Sequence, residues 1–394
     1  MTGTRRSRAV GLAAGLGVWI GVGTLVVPGG HLATAEEAPT RAEIRATMRE
    51  IFESVRTLLP LSVGDASWAD PRSRERIHPA LQSLATNAGV LATHGRRKDP
   101  GFGHIGRYLA TDAQDILTSY ESGDMERSQF LLRQLTEYCV TCHSRLPSPG
   151  DSPLSEHFLN QSALTALPLE ERATLLIATR RFEEALSTLE RLLASTAVHP
   201  ADQLPSLTDY LIVSIRVKGD LARPLPTLER FSKRPDLWRN LRLDVERWIA
   251  DLRELGGRDL SGADLATAKR LMDEAKGMIN FPADRSALVH YVVASSILHR
   301  YVEAHAGGRS RDLAEAYYYL GLIETRIGRS YWVSQSGIFL ESSIRLAPGE
   351  PFAEQAYALL EEEIILGYSD SREIHIPEEL ERSLAELQQL IDTR

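Results

Sequence analysis

Both cysteines of the 394-residue chain lie within one stretch of five residues, Cys139-Val140-Thr141-Cys142-His143. Two thiols three positions apart, with a histidine directly after the second, form the pattern C-x-x-C-H at which haem c is attached. The spacing suits this chemistry, because two thiols must reach the two vinyl groups of one porphyrin while the adjacent imidazole ligates its iron. We therefore predict one covalent haem c, attached at Cys139 and Cys142, with His143 as the proximal iron ligand.

The same motif has three other interpretations: a disulfide, a redox-active C-x-x-C pair and half of a zinc site. Zinc requires two further cysteine or histidine ligands at short spacing, and the sequence contains no second cluster of that kind. A thioredoxin-like redox motif follows a strand in a βαβ pattern, whereas helical periodicity flanks these cysteines. Haem c is attached after translocation, so the haem prediction also requires export from the cytoplasm.

The N-terminal residues meet this requirement. Three arginines within residues 5–8 precede an apolar stretch over 9–27, and residues 33–35 read Ala-Thr-Ala, an A-x-A cleavage pattern. We predict a signal peptide over residues 1–35 and a periplasmic location for the mature chain. An uncleaved membrane anchor stays open, because the apolar stretch approaches the length that crosses a bilayer.

Apolar residues recur at helical spacing in four segments between residue 40 and the cysteine motif. The first predicted helix begins near Thr40 and ends at Leu59, before a proline and a long connection. The second helix ends near Gly95, and the third is stopped by Gly123. The fourth begins after Asp124, a residue type that caps helices, and carries the C-x-x-C-H motif.

Four helices with C-x-x-C-H near the end of the last one resemble the class II c-type cytochromes, the cytochrome c′ and c-556 group. The resemblance covers roughly residues 40–147 of a domain predicted over 36–147. It implies an antiparallel four-helix bundle that carries the haem and acts in single-electron transfer. That group often has an aromatic residue followed by a basic one shortly after the histidine, whereas residues 144–147 here read Ser-Arg-Leu-Pro.

In these cytochromes a methionine on the first helix can occupy the second axial position. Met48 is the only methionine of the first predicted helix and lies on its apolar stripe. The resemblance therefore implies Met48 as the sixth iron ligand, and thioether ligation would raise the reduction potential. Met48 as a core filler stays open, as does ligation by one of three histidines whose positions favour surface or capping roles: His78, His94 and His104. Without a sixth ligand the iron would be open to small gases.

After a proline-rich linker predicted over residues 148–155, the pattern changes to pairs of helices. The run Thr-Leu-Glu-Arg-Leu at 188–192 recurs as Thr-Leu-Glu-Arg-Phe at 227–231. Small residues at crossing points and a glycine in a turn, Gly328, resemble tetratricopeptide repeats. We predict a tetratricopeptide-like α-solenoid over 156–394, with a HEAT-like or irregular solenoid as the alternative.

Two prolines, Pro224 and Pro226, are expected to break the second unit of this solenoid. Three histidines of the region, His290, His299 and His305, do not have the spacing of metal ligands. We therefore predict no metal site beyond the haem motif.

These features predict an all-α protein: a four-helix-bundle haem domain followed by an α-solenoid of helical hairpins. The leading hypothesis is a periplasmic c-type cytochrome that exchanges electrons with a redox partner protein, while the repeats bind a protein or peptide. The alternatives are a haem-based gas sensor and a scaffold protein with a structural haem. No catalytic constellation indicates an enzyme. A net charge of −8 argues against nucleic acid, and membrane contact requires an uncleaved N-terminal segment.

Overall fold

The computed structural model of the chain describes residues 41–62, 65–95, 100–148, 165, 167–262, 264–280, 284–328, 335–369 and 376–393. Over these ranges the protein is all-α, with sixteen α-helices and no strand. None of the helices in these ranges is long and apolar enough to cross a bilayer. The predicted signal peptide or anchor at residues 1–35 lies outside the described residues, as does most of the predicted linker at 148–155.

Five α-helices lead to the cysteine motif: α1 (Arg41–Ser62), α2 (Asp65–Ala69), α3 (Arg74–Gly95), α4 (Pro100–Ser122) and α5 (Met125–His143). Helix α3 packs against α1 and α4, and α5 packs against α4 and contacts α1 over a shorter length. The four long helices are those that periodicity predicts. The Asp124 side chain accepts a hydrogen bond from the backbone N–H of Arg127 (3.1 Å), which confirms the predicted cap of α5.

Two details of this region differ from the prediction. Helix α1 continues through Pro60 to Ser62, because a proline in the last turn removes only one of the helix's hydrogen bonds. The connection after α1 contains the short helix α2, whose Trp68 is buried. The Trp68 indole donates a hydrogen bond to Ser128 Oγ (2.8 Å), so tertiary packing rather than local periodicity accounts for this helix.

The C-terminal part of the chain contains eleven further α-helices in the described ranges: α6 (Leu169–Ala178), α7 (Phe182–Ala194), α8 (Leu204–Leu211), α9 (Pro224–Phe231), α10 (Arg239–Gly256), α11 (Leu265–Lys276), α12 (Leu288–Ala304), α13 (Arg311–Ile327), α14 (Ser336–Leu346), α15 (Pro351–Gly367) and α16 (Glu378–Asp392). A π-helix over Ile212–Val217 directly continues α8. Most of these helices pack against the next one in sequence, and α13, α14 and α15 pack mutually.

Glycine and proline have defined roles in this array. Gly328 ends α13 in the left-handed conformation (φ +58°), which confirms its predicted place in a turn. The expectation that prolines break the second unit is wrong for Pro224: it occupies the first position of α9. A proline fits there because the first N–H groups of a helix have no partner within that helix.

The N-terminal helices and most of the helical array share one hydrophobic core, and α14, α15 and α16 contribute a second cluster. Helix α5 packs against α6, and α4 also contacts α14. The guanidinium of Arg145, directly after α5, lies 5.5 Å from the ring centre of Phe339 on α14. The described residues accordingly belong to a single compact unit.

Candidate functional site

The cysteine motif lies in the last turn of α5. Cys139 and Cys142, three positions apart on this helix, share one helix face. Both are half-buried, form no disulfide and pack against the apolar core. Helix α5 ends at His143, and the backbone N–H of Ser144 donates to the carbonyl of Val140 (2.9 Å). The two thiols and the imidazole therefore lie at one helix end, as attachment of a single porphyrin requires.

The imidazole of His143 is held from outside its own helix. Its Nδ1 lies 2.7 Å from the carbonyl oxygen of Ala178, the last residue of α6. A neutral imidazole that donates Nδ1–H to a carbonyl keeps Nε2 as its lone-pair nitrogen, the arrangement in which histidine ligates metals. Burial chiefly, with a contribution from Arg180, lowers the pKa of His143 to about 4. The imidazole is thus neutral at physiological pH.

The environment of Cys139 distinguishes among the interpretations of the motif. Burial, together with the neighbouring Cys142, raises the pKa of the Cys139 thiol to about 12. Redox-active C-x-x-C pairs rely instead on a thiol whose pKa is lowered, because the thiolate is the reactive form. This environment therefore favours a bound or structural role for the pair over thiol–disulfide exchange.

Met48 lies on α1, half-buried, on a face shared with Ile44 and Phe52. Every described side chain of α1 up to residue 50 is exposed or half-buried, whereas Ile51 and several later residues are buried. The N-terminal half of α1 thus presents partly exposed apolar side chains.

Hydrogen bonds set the relative direction of α1 and α5. The carbonyl of Ser62, at the end of α1, accepts from Gln129 Nε2 (2.6 Å) and Arg133 Nη2 (2.8 Å), near the start of α5. Met48 lies 14 residues before Ser62, and His143 lies 14 residues after Gln129. Because both helices rise about 1.5 Å per residue, antiparallel packing brings Met48 to the level of His143.

The three competing histidines have different positions. The Nε2 of His78 lies 2.8 Å from Glu121 Oε1. Glu121 lies at the end of α4, just before α5 begins, so His78 is at the opposite end of α5 from His143. The His94 side chain lies outside the described residues. His104 is half-buried in α4, beside Tyr108 (ring centres 4.4 Å apart). Burial and the charge of Arg107 lower the pKa of His104 to about 4.

Sequence reasoning missed a buried polar cluster behind the motif. The guanidinium of Arg216, 3% exposed, donates to Ser295 Oγ (2.8 Å) and to Glu324 Oε1 (3.2 Å). The Nε2 of His299 lies 3.9 Å from the same carboxylate oxygen. Burial opposes ionisation of Glu324, but the charges of Arg216, His299 and Arg145 outweigh it and lower the Glu324 pKa to about 2.

The members of this cluster are separated by up to 108 positions. The sequence therefore signals it only through isolated polar residues within otherwise apolar helical segments.

Over the ranges that the structure describes, no three His, Cys, Asp or Glu side chains gather as a metal site.

Comparison with protein-family models, with curated proteins and with solved structures finds no match.

Proposed function

We propose that the chain is an exported monohaem c-type cytochrome that carries single electrons. In this proposal α1, α3, α4 and α5 form a four-helix bundle around the haem, and the helices after residue 156 form a solenoid that docks a protein partner. The observation that carries the proposal is the state of His143: its Nδ1 is engaged by the Ala178 carbonyl (2.7 Å), and its Nε2 remains for the iron.

The residues of the α5 helix end fit a covalently attached haem. Two half-buried thiols that form no disulfide share a helix face, and a neutral histidine follows the second. Partly exposed apolar side chains of α1 lie at the same level and suit the porphyrin's apolar faces. When bound, haem supplies a one-electron iron couple. The chain's own residues hold and orient it: Cys139 and Cys142 by thioether bonds, and His143 as the proximal ligand.

Met48 is the proposed sixth ligand, because it lies level with His143 on the helix antiparallel to α5. A thioether in that position favours the reduced iron and hence a higher potential. The proposed periplasmic location follows from the N-terminal sequence pattern and from the requirement of haem attachment for export.

A haem-based gas sensor is the second candidate. It is favoured by the same contact between His143 and Ala178, since this contact would couple a movement of the proximal ligand directly to the helical array. In that case Met48 would be core filler and the iron would be open to a small gas.

The proposal is tested by producing the full chain with and without the c-type maturation machinery and measuring covalent haem by pyridine haemochrome. We expect one haem per chain, lost in the double variant Cys139→Ala/Cys142→Ala. Absence of covalent haem in the wild-type chain made with the machinery would overturn the proposal.

His143→Ala tests the ligand role, and His305→Ala is its matched control. The His305 imidazole also has Nδ1 near a backbone carbonyl, that of Tyr301 (2.8 Å), but it is exposed and has no neighbouring thiol. We expect only His143→Ala to change the haem spectrum.

The spectrum of the wild-type chain distinguishes the two candidate functions. A low-spin, six-coordinate spectrum that resists carbon monoxide supports the electron carrier, whereas a high-spin spectrum with avid carbon monoxide binding supports the sensor.

A further inference from the structure

A pocket of about 660 Å³ opens between α10, α11 and the start of α12, in the helical array. It is distinct from the cysteine motif. Its lining includes the buried His290 and six charged residues: Asp244, Arg247, Glu254, Arg258, Glu274 and Asp284. The lining therefore contains four carboxylates and two guanidinium groups.

Both guanidinium groups of the pocket are already paired. Arg258 donates to Glu254 Oε1 (2.5 Å) and to both carboxylate oxygens of Glu274 (3.0 and 2.9 Å). The Nε of Arg247 lies 2.9 Å from Asp251 Oδ1, which is buried behind the pocket. The positive charge of the lining is thus balanced by these three carboxylates, which leaves the remaining acidic residues in excess.

The two remaining acidic residues, Asp244 and Asp284, differ in their hydrogen bonding. Asp284 accepts from the backbone N–H groups of Asn280 (2.9 Å) and Ser286 (2.8 Å). Asp244 is half-buried, and its carboxylate accepts no hydrogen bond within the described part of the chain. Burial and the charge of Asp284, only partly offset by Arg285, raise the pKa of Asp244 to about 6. This carboxylate lacks the partner that a half-buried anion needs.

A second, independent feature lies in the buried wall of the pocket. His290 and Asp251 are each about 1% exposed, and His290 Nδ1 lies 3.4 Å from Asp251 Oδ2. The other ring nitrogen, Nε2, lies 3.3 Å from Glu274 Oε2. His290 Nδ1 forms no hydrogen bond, and Asp251 is engaged by its ion pair with Arg247. Buried polar groups without hydrogen bonds are rare and costly, and here the buried imidazole is part of the pocket lining.

We propose that this pocket binds a small organic cation with N–H donors, an ammonium or guanidinium group, supplied by a free polyamine or by a basic side chain of a peptide. Carboxylates spread around a pocket accept N–H donors from several directions. A metal ion would instead need ligands gathered at one point, and no such group occurs in the described part of the chain. The proposal is independent of the haem proposal.

Isothermal titration calorimetry on the full chain tests this, with putrescine in one arm and a Lys-Gly-Gly peptide in the other. We expect saturable binding of one cation per chain in at least one arm. Putrescine binding alone indicates a free polyamine, and peptide binding alone indicates a basic side chain. Absence of binding in both arms would overturn the proposal.

The variant Asp244→Asn should weaken binding about tenfold or more, because it removes the unpaired charge while retaining the side chain's shape. Asp273→Asn is the matched control, since Asp273 is exposed on α11 and does not line the pocket. Equal losses in both variants, or tighter binding of Mg²⁺ than of either probe, would contradict the proposal. Should Asp244→Asn fail to fold, a rise in the wild-type melting temperature with putrescine or the peptide, but not with equal ionic strength of NaCl, provides the same test.

Discussion

The Nδ1 nitrogen of His143 lies 2.7 Å from the carbonyl oxygen of Ala178, a residue 35 positions further along the chain. The donor belongs to the helix that carries the cysteine motif, and the acceptor ends the first helix of the array. Partners of this kind fix the orientation of a ligating imidazole, and their loss commonly costs about 10–100-fold in metal affinity or activity. The orientation of the proposed proximal ligand thus depends on a helix outside the predicted haem domain.

The turn after Ala178 contains Arg180, the only non-glycine residue in the described ranges with positive φ (61°). Its guanidinium donates to Ser148 Oγ (2.9 Å). Both Arg180→Ala and Arg180→Gly lose this bond, but only glycine removes the conformational strain. We expect the Gly variant to be more stable than the Ala variant by about 1 kcal/mol in urea denaturation. A more stable Ala variant would contradict a strained turn.

Replacement of Met48 by alanine should convert a six-coordinate haem to a five-coordinate one and lower its reduction potential, because the thioether ligand is lost. Absorption spectra of both oxidation states and a redox titration measure the change. Ile44→Ala is the matched control, since Ile44 lies one turn earlier on the same half-buried face. An unchanged spin state in Met48→Ala would show that Met48 is core filler.

Removing the charge of one partner of the buried ion pair between Arg216 and Glu324 should lower the free energy of unfolding substantially. Glu324→Gln leaves the Arg216 charge without its counter-ion in a nearly solvent-free site, and we expect a loss of about 3–5 kcal/mol in the free energy of unfolding. Glu341→Gln, which removes a half-exposed partner of Arg345, should cost less than about 1 kcal/mol. Similar losses of unfolding free energy in the two variants would show that burial does not determine how much an ion pair contributes to stability.

Stability should fall as the pH is lowered from about 6.5 to about 4. Burial lowers the pKa of His299 from 6.5 to about 4, so within this window the unfolded chain binds a proton that the folded chain does not. His299→Leu should therefore reduce proton uptake on unfolding by about one, measured by urea denaturation at several pH values. The pKa values of His104 and His143 are also lowered to about 4. We therefore expect the His299→Leu variant to retain part of the pH dependence of stability.

Gly321 permits the close approach of α13 and α14. A Cβ at this position would lie 2.6 Å from Cγ and Cδ2 of Leu340, so Gly321→Ala should destabilise the protein by about 1–3 kcal/mol. Gly89→Ala is the control: it lies within α3, and a Cβ there meets nothing within 4 Å. We expect Gly89→Ala to stabilise the chain by about 0.5–1 kcal/mol. Thermal unfolding of both variants makes the comparison.

The predictions from sequence that the structure confirms rest on interactions within a few residues. Helical periodicity, the Asp124 cap and the turn position of Gly328 each depend on backbone geometry within about one turn. The same reasoning was wrong for Pro224, where the chain context decides whether proline begins or interrupts a helix. Haem attachment, the Met48 ligand, export and the partner-binding role of the repeats stay predictions.

The sequence by itself determined that the chain is helical and that two thiols and a histidine share one helix end. Only the tertiary structure decided which carbonyl holds His143, that Trp68 is buried in a short helix, and that Arg216 meets Glu324 108 positions away. The physical reason is the distance along the chain over which each interaction acts. A helix is specified by hydrogen bonds four residues apart, whereas these contacts depend on how separate helices pack, and no local pattern encodes that packing.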